Sequence, residues 1–377
     1  MPPSVPAKRI DSIDALRGLA LFGVLAINLE NEFRVSIFQQ FLPGPLEPGA
    51  DRWVGGFLHL FIDLKAFAVF SLLFGIGLAI QHDRLEGSPR RLTLLVRRLL
   101  ALMAFGLIHL FLIWNGDILA EYALAGFVVL PFLFGSRRML ALGSTFFLLL
   151  YLAMPLLPAV VALPDTASLT IHVRTAERIY GSGSFGQILA YRIDEAWAFL
   201  PLHVPIFPRT VGLFLLGALA WRTGLVPDAR HHARGLRLAG LLAAGTGLAI
   251  TLTAGAHPAS GWLTFPLGTI LLALGYASLV IGAATGRTGR WLAWAEPVGR
   301  MAFTNYIAQS LILGWIFYGY GLGLFGKIGL TAGLGLVFAI YAGQVLYSRW
   351  WLARFSYGPL EWLWRALMYG RLPPFGR

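Results

Sequence analysis

Apolar residues run along this chain in blocks of roughly twenty, separated by short polar stretches, near 15–31, 64–81, 94–114, 118–135, 139–162, 209–226, 237–254, 262–285, 301–320 and 329–347. As a helix, a block of that length spans about 30 Å of hydrocarbon. Almost nothing alternates with the two-residue period of a barrel strand. Hydrocarbon offers backbone N–H and C=O groups no partner, so the pattern predicts an all-α, polytopic membrane helix bundle of about ten transmembrane helices. The whole chain, 1–377, reads as a single integral membrane domain. Its first block holds Arg17 at the start and Asn28 and Glu30 near the end, without a clear small-residue cleavage site. It reads as an uncleaved span.

The segments between blocks are mostly compact. HDRLEGSPRRLTLLVRR, GSRR, PDARHHARGLR and GRTGRW are short and basic. Residues 163–208 form the longest piece outside the blocks, and SFGQILAYRIDEAWAFL within it has the spacing of an amphipathic helix lying on the membrane as a lid or lip. DRWVGGFLHLFID at 51–63 predicts another interfacial helix feeding the second block. The tail, 348–377, with Trp350, Trp351, Trp362, Trp364 and scattered Arg, predicts an interfacial anchor. No internal repeat is visible.

Composition sharpens this picture. The chain is 57% hydrophobic and only 13% charged, with a mean hydropathy of +0.69, about half the usual charge fraction of a soluble domain. Zero cysteines exclude disulfides, thiolate nucleophiles and Cys-based metal sites. The net charge of +12 is spread between blocks rather than gathered into a stripe with interleaved aromatics, which argues against a nucleic-acid partner. With the N-terminus inside, roughly 22 of the 30 Lys/Arg fall on the inner segments and roughly 7 on the outer ones. The expected topology is N-in and C-in, with 163–208 outside and 348–377 cytoplasmic.

Polar side chains at membrane depth are costly, and each is a candidate for function. Arg17 and Asn28 are eleven residues apart, three turns plus about 20°, so they share a helix face about 16 Å apart. Asp14 is placed to pair with Arg17. A structural clasp and a ligand-binding role are both open. In GLIHLFLIWNGDILAEY, His109 precedes Trp114 by about one and a half turns, and Asn115-Gly116 ends the helix. Asp117 then starts the next helix, where a carboxylate caps it and, as the chain doubles back, lies near His109. A His oriented by a carboxylate is how a general base is built. Helix bonding by His109 and simple capping by Asp117 form the plainer alternative. His59, four residues before Asp63, decorates an interfacial helix, and two such ligands are too few for a metal. Lys65 either snorkels or faces a cavity. Asn305, Gln309 and Ser310 are expected to bond between helices. No Walker loop, GxSxG elbow, voltage-sensor spacing or selectivity filter occurs.

Three stretches together resemble the YeiB-like family of bacterial membrane proteins, a domain of unknown function: RIDSIDALRGLALFGVLAINLENEF at 9–33, KAFAVFSLLFGIGLAI through GLIHLFLIWNGDILAEYALAG at 65–126, and RMAFTNYIAQS with GPLEWLWRALMYG at 300–310 and 358–370. The resemblance implies a multi-pass protein of the bacterial cytoplasmic (inner) membrane and marks the His and W-x-G-D of 109–117 as family features. The first block is also distantly similar to that of the transmembrane acyltransferase group, which includes heparan-α-glucosaminide N-acetyltransferase and the O-antigen acetylases. The acetylases carry an Arg followed eleven positions later by a His. Arg17 matches that Arg, whereas Asn28 stands in place of the His, as an Asn does in the heparan enzyme.

The distant resemblance implies acyl-CoA as donor, no metal, and a small-molecule or glycan acceptor that is extracytoplasmic or lipid-linked, with the bilayer as constant partner and an oligomer left open. In that scheme Arg17 meets the anionic end of the donor, Asn28 and Asn115 belong to the binding site with Asn28 as a donor to the carbonyl or oxyanion, and His109 deprotonates the acceptor or transiently carries the acyl group. Asp117 orients His109, and Trp114 is a platform for sugar or chain. A transporter or exporter of a small amphipathic or anionic solute fits the same blocks, and so does a structural or assembly protein whose polar groups serve packing.

Overall fold

The structure, a computed structural model, describes residues 10–43, 48–157, 164–256, 258–284 and 291–376. Residues 158–162 of the fifth expected block and 286–290 of the GRTGRW link lie outside them. The described residues form helices and short helical turns, with one isolated bridge between Phe355 and Gly376. In chain order the α-helices are α1 (Asp11–Asn28), α2 (Gly49–Phe61), α3 (Lys65–Arg84), α4 (Arg91–Ile108), α5 (Leu119–Leu133), α6 (Arg137–Ala153) and α7 (Thr166–Ser182). They continue with α8 (Phe185–Arg222), α9 (Ala229–Ala256), α10 (Pro258–Ala284), α11 (Glu296–Arg300), α12 (Ala302–Phe317), α13 (Leu330–Leu352) and α14 (Pro359–Tyr369).

The chain is an all-α, polytopic membrane bundle. Eight helical stretches among the described residues are long and apolar enough to cross a membrane. Two further apolar helices, α5 and α12, have 15 and 16 residues, which gives about 22–24 Å against about 30 Å of hydrocarbon. Each of the ten expected blocks therefore contains a helix, but two of those helices are too short to span alone. They share a role in the site described below.

Burial sorts the helices. In α1, 78% of the apolar window is inside the protein, against 22–28% for α4, α6, α9 and α13, so α1 is the central post and the others meet lipid on one side. Its small and branched residues Ala15, Ala20, Leu21, Val24 and Leu25 pack in the interior. Both α1 and α4 end in a π-helical turn, Leu29–Phe33 and His109–Ile113. Such widened turns are uncommon and gather at functional sites.

The expected interfacial helix at 51–63 is α2, with Trp53 81% exposed. It breaks into α3 at Leu64, which adopts φ 57°, a strained value for a branched side chain. Lys65 follows, wholly buried, and its Nζ donates to the His59 carbonyl at 2.6 Å. Of the expected outer stretch 163–208, the described residues 164–208 depart furthest from expectation. They are not a loop carrying one surface helix. Helix α7 is capped by Asp165, and α8 starts at a Ser184–Gln187 capping box and runs for 38 residues into the span, straight past the expected boundary at 209. Pro201, Pro205 and Pro208 sit within it. The apolar block at 209–226 starts after these prolines, yet the helix runs unbroken through them.

Candidate functional site

Where α4 widens into its π turn, the His109 side chain is fully enclosed and held at both ring nitrogens. Its Nδ1 lies 2.8 Å from Asp117 Oδ1 and its Nε2 2.9 Å from Ser310 Oγ on α12. An ionised carboxylate only accepts, so when Asp117 is ionised and the ring is neutral, Nδ1 carries the proton toward Asp117 and Nε2 is the nitrogen left to accept from the Ser310 hydroxyl. Asp117 does two things, because its Oδ2 also accepts from the Ala120 N–H at 2.7 Å, at the start of α5. This is the local reason the chain reverses here. The π turn ends with Trp114 N–H on the His109 carbonyl at 2.7 Å, Trp114 goes extended, and the carboxylate then nucleates the next helix.

The turn lies under protein rather than at a surface. Trp114 is 1% exposed, wedged between the Phe33 ring at 4.7 Å and the His109 ring at 5.9 Å. Trp114 is therefore not an open platform for a sugar, contrary to expectation. Asn115 is buried too. Its Nδ2 donates to Glu195 Oε2 at 2.6 Å and to the Tyr180 hydroxyl at 3.3 Å. Glu195 also receives the Tyr180 hydroxyl and sits 2.7 Å from His172 Nε2. One α8 turn earlier, Arg192 Nη1 donates to the Leu112 carbonyl at 3.0 Å, which satisfies a backbone acceptor left over where α4 ends. Burial, and then the Glu195 carboxylate, push the Tyr180 phenol well above its ordinary range, so it stays a donor. Asn115 is thus the peg by which α7 and α8 cap the His109 turn.

A cavity of about 510 Å³ runs beside α1 from the other end of the bundle. Its mouth carries Arg17, Arg84, Arg98, Arg300 and Arg365 against Asp14, Asp83 and Glu361. Five cations face three carboxylates. Farther in the walls turn apolar, with Leu21, Val24, Phe70, Phe74 and Leu102, and the lining includes Ile118, Leu119, Tyr122 and Tyr306. Tyr306 also touches the His109 ring, with centroids 5.1 Å apart. One tyrosine therefore belongs to both the cavity wall and the buried pair.

Of the residues singled out from sequence, Arg17 lines the cavity, with Nη1 tied to Asp14 at 2.8 Å and to the Gly299 carbonyl at 3.3 Å. His109 and Asp117 meet directly behind the cavity wall. Asn28 is buried at the end of α1, its Oδ1 has no hydrogen-bond partner, and among the described residues no hydrogen bond joins it to His109 or Asp117. The four residues do not line one continuous space. Asn305 and Gln309 do bond between helices, to Ser348 at 3.0 Å and Gln344 at 2.8 Å on α13. Ser310 also bonds between helices, but to His109 at the end of α4 rather than to α13. No group of three or more His, Asp or Glu among the described residues is arranged to hold a metal ion.

The tail, expected as a surface anchor, also closes this end of the bundle. Tyr357, Glu361, Trp364 and Arg365 line the mouth, and Glu361 caps α12 from α14. Its Oε1 accepts from Phe303 N–H at 2.8 Å and Thr304 N–H at 3.0 Å, and Oε2 meets the Thr304 hydroxyl at 2.6 Å. Replacing Glu361 with Ala strands those donors and is expected to cost about 1–3 kcal/mol, whereas Glu361→Gln keeps an acceptor and costs far less. Burial raises this carboxyl above its ordinary pKa. The folded state therefore binds the proton more tightly than the unfolded chain, and this group's contribution is greatest below the ordinary carboxylate pKa and fades as pH rises through the raised one. Thermal unfolding in detergent against pH reads both effects, and Glu361→Gln should flatten that pH dependence.

Comparison with known proteins adds a family. The chain is 34% identical to the uncharacterized protein YxaH of Bacillus subtilis (strain 168), over all of this chain and 98% of that one. It is 31% identical to an uncharacterized 39.9 kDa protein in the amylase 3' region of Bacillus acidopullulyticus, over 99% of this chain and 98% of that one. It is 30% identical to the uncharacterized protein YeiB of Escherichia coli (strain K12), over 94% and 95%. No solved structure matches. Residues 220–371 match a family model described as a protein of unknown function, DUF418. With likeness that runs from end to end of both chains, the protein belongs to the YeiB-like family of bacterial membrane proteins.

Proposed function

We propose that this protein is an acyltransferase of the bacterial cytoplasmic membrane, taking an acyl group from cytoplasmic acyl-CoA and passing it to a hydroxyl or amine on an extracytoplasmic or lipid-linked, glycan-like acceptor. The observation that carries the reading is the cavity, cationic at its mouth and apolar within, with Tyr306 in common with the buried His109–Asp117 pair. With the N-terminus inside, the arginine mouth faces the cytoplasm, where acyl-CoA is. Phosphates suit guanidinium groups, and an acyl chain suits the inner walls.

Arg98 is the best-placed cation. Its guanidinium stacks on Trp364 at 4.0 Å and its Nε has no hydrogen-bond partner, so a phosphate oxygen supplies what is missing. Arg17 is already held by Asp14 and serves more to shape the mouth than to grip. Near Tyr306 the acyl carbonyl comes within one side chain of His109, which takes the acceptor's proton while Asp117 holds its tautomer.

Transfer of label from radioactive acyl-CoA to an acceptor, by purified protein in liposomes, tests this. Arg98→Ala should raise KM for acyl-CoA by about ten- to a hundredfold with a smaller change in kcat, the size of a lost charge-assisted bond. Counterflow of an unmodified solute, without covalent transfer, would replace the proposal with a transporter. Neither activity would leave a packing role.

A further inference from the structure

We infer that Ser310 is a nucleophile that carries the acyl group covalently, so that transfer proceeds in two steps through an acyl-serine. The inference rests on the acyltransferase reading for its donor but on separate geometry for its chemistry. A serine inside a membrane helix ordinarily satisfies its hydroxyl on the carbonyl four residues back. Ser71 does this here at 2.9 Å, and Thr251 does the same at 2.8 Å. Ser310 makes that bond only at long range, with Oγ 3.4 Å from the Tyr306 carbonyl, and its closer partner is His109 Nε2 at 2.9 Å. Behind the ring, Asp117 Oδ1 lies 2.8 Å from Nδ1. Hydroxyl, imidazole and carboxylate thus stand in line, on α12, the end of α4 and the start of α5. That is the arrangement by which a serine is activated on several unrelated folds, recognised by geometry rather than by order in the chain.

The environment suits the role. All three side chains are buried, so water does not compete for an ester. Trp114 Nε1–H has no acceptor, and its ring packs edge-on against His109, so a developing oxyanion supplies the acceptor it lacks. Tyr306, one turn before Ser310, is part of the cavity wall and is the side chain that must move to admit a donor.

In the first step the Ser310 hydroxyl proton passes to His109 Nε2, Oγ bonds to the thioester carbonyl carbon, and the carbon–sulfur bond breaks. The thiolate leaves with the proton from His109. In the second step His109 Nε2 takes the acceptor's proton, the acceptor oxygen or nitrogen bonds to the ester carbon, and Ser310 Oγ departs and recovers its proton from His109. No oxidant, reductant or further reactant is required.

A fluorophosphonate probe tests the nucleophile without any acyl-CoA, because Oγ attacks phosphorus and fluoride leaves with the proton relayed through His109. Full-length protein in nanodiscs should gain one adduct, mapped by mass spectrometry to Ser310. Ser310→Ala should show none, and His109→Gln should label about a hundredfold more slowly or worse. Mapping in the wild-type protein decides the matter even if a variant misfolds. An adduct on Ser310 without transfer from acyl-CoA keeps the nucleophile and removes the donor reading. Transfer without an adduct, full transfer by Ser310→Ala, an adduct only elsewhere, or neither adduct nor transfer overturns the inference.

Discussion

His109→Ala should lower acyl transfer from acyl-CoA by about 10²–10⁴-fold while the protein inserts and elutes from detergent like wild type. The size follows from what the imidazole does alone: among the described residues no other side chain joins both Asp117 and Ser310. Folding should survive because Asp117 keeps its second partner, the Ala120 N–H that starts α5. The sharper variant is Asp117→Asn. Its side-chain oxygen still caps α5, but its amide then presents a donor to Nδ1. The ring must put its proton on Nε2, where it faces the Ser310 hydroxyl and can no longer accept from it. In serine triads that exchange of tautomer costs about 10⁴ in kcat, and a comparable loss with unchanged KM for acyl-CoA is expected. If either variant keeps more than about a tenth of the wild-type rate, His109 is a packing residue and general-base catalysis by this pair is wrong.

The sequence reveals the parts of this site that are close together in the chain. His109 and Asp117 are eight residues apart across a break marked by Asn115-Gly116, so turn chemistry alone points one at the other. Ser310 is 201 residues beyond His109, and its tie depends on how α12 packs against the end of α4. Hydrophobic pattern says that a helix is in the membrane, but not which face meets which neighbour. For the same reason Asn305, Gln309 and Ser310 look alike in sequence, although the first two bond to α13 and the third turns the other way. Trp114 illustrates a different blind spot. At the end of a span it reads as an open platform for sugar or chain, yet α7 and α8 fold over it because Asn115, Arg192 and Glu195 supply the polar bonds that make burial of that turn affordable. Glu361 and Arg365, read as parts of a surface anchor, reach the cavity only because α14 packs under α4 and α12.

Gly75→Val should abolish the folded protein, whereas Gly77→Ala, two residues on, should be tolerated. The pair Gly75-Ile76-Gly77 looks symmetrical in sequence, where small-residue packing accounts for both glycines. In the structure they do different work. A Cβ on Gly75 would overlap the backbone carbonyl of Phe214 on α8, and one on Gly217 would overlap that of Leu72 on α3, so the two helices touch backbone to backbone at this crossing. Backbone atoms cannot step aside as a flexible side chain can, and no rotamer of valine relieves the overlap. Separating α3 from α8 would also pull apart the stacked Phe74 and Phe214 rings, at 4.8 Å, and the edge contact of Tyr122 on Phe214. Tyr122 and Phe74 line the cavity, so site and fold fail together. At Gly77 nothing lies within 4 Å of an added Cβ, because that face opens on the cavity. Alanine there removes backbone freedom from the unfolded chain and adds up to about 1 kcal/mol of stability. Gly77→Leu, by contrast, should leave a folded protein whose cavity is partly filled. Size-exclusion profiles of the solubilised variants read the folding outcomes, and KM for acyl-CoA reads the filling. Because Gly77, unlike Gly75, borders the cavity, a Gly77→Leu protein that folds but binds acyl-CoA as tightly as wild type would place the donor somewhere else.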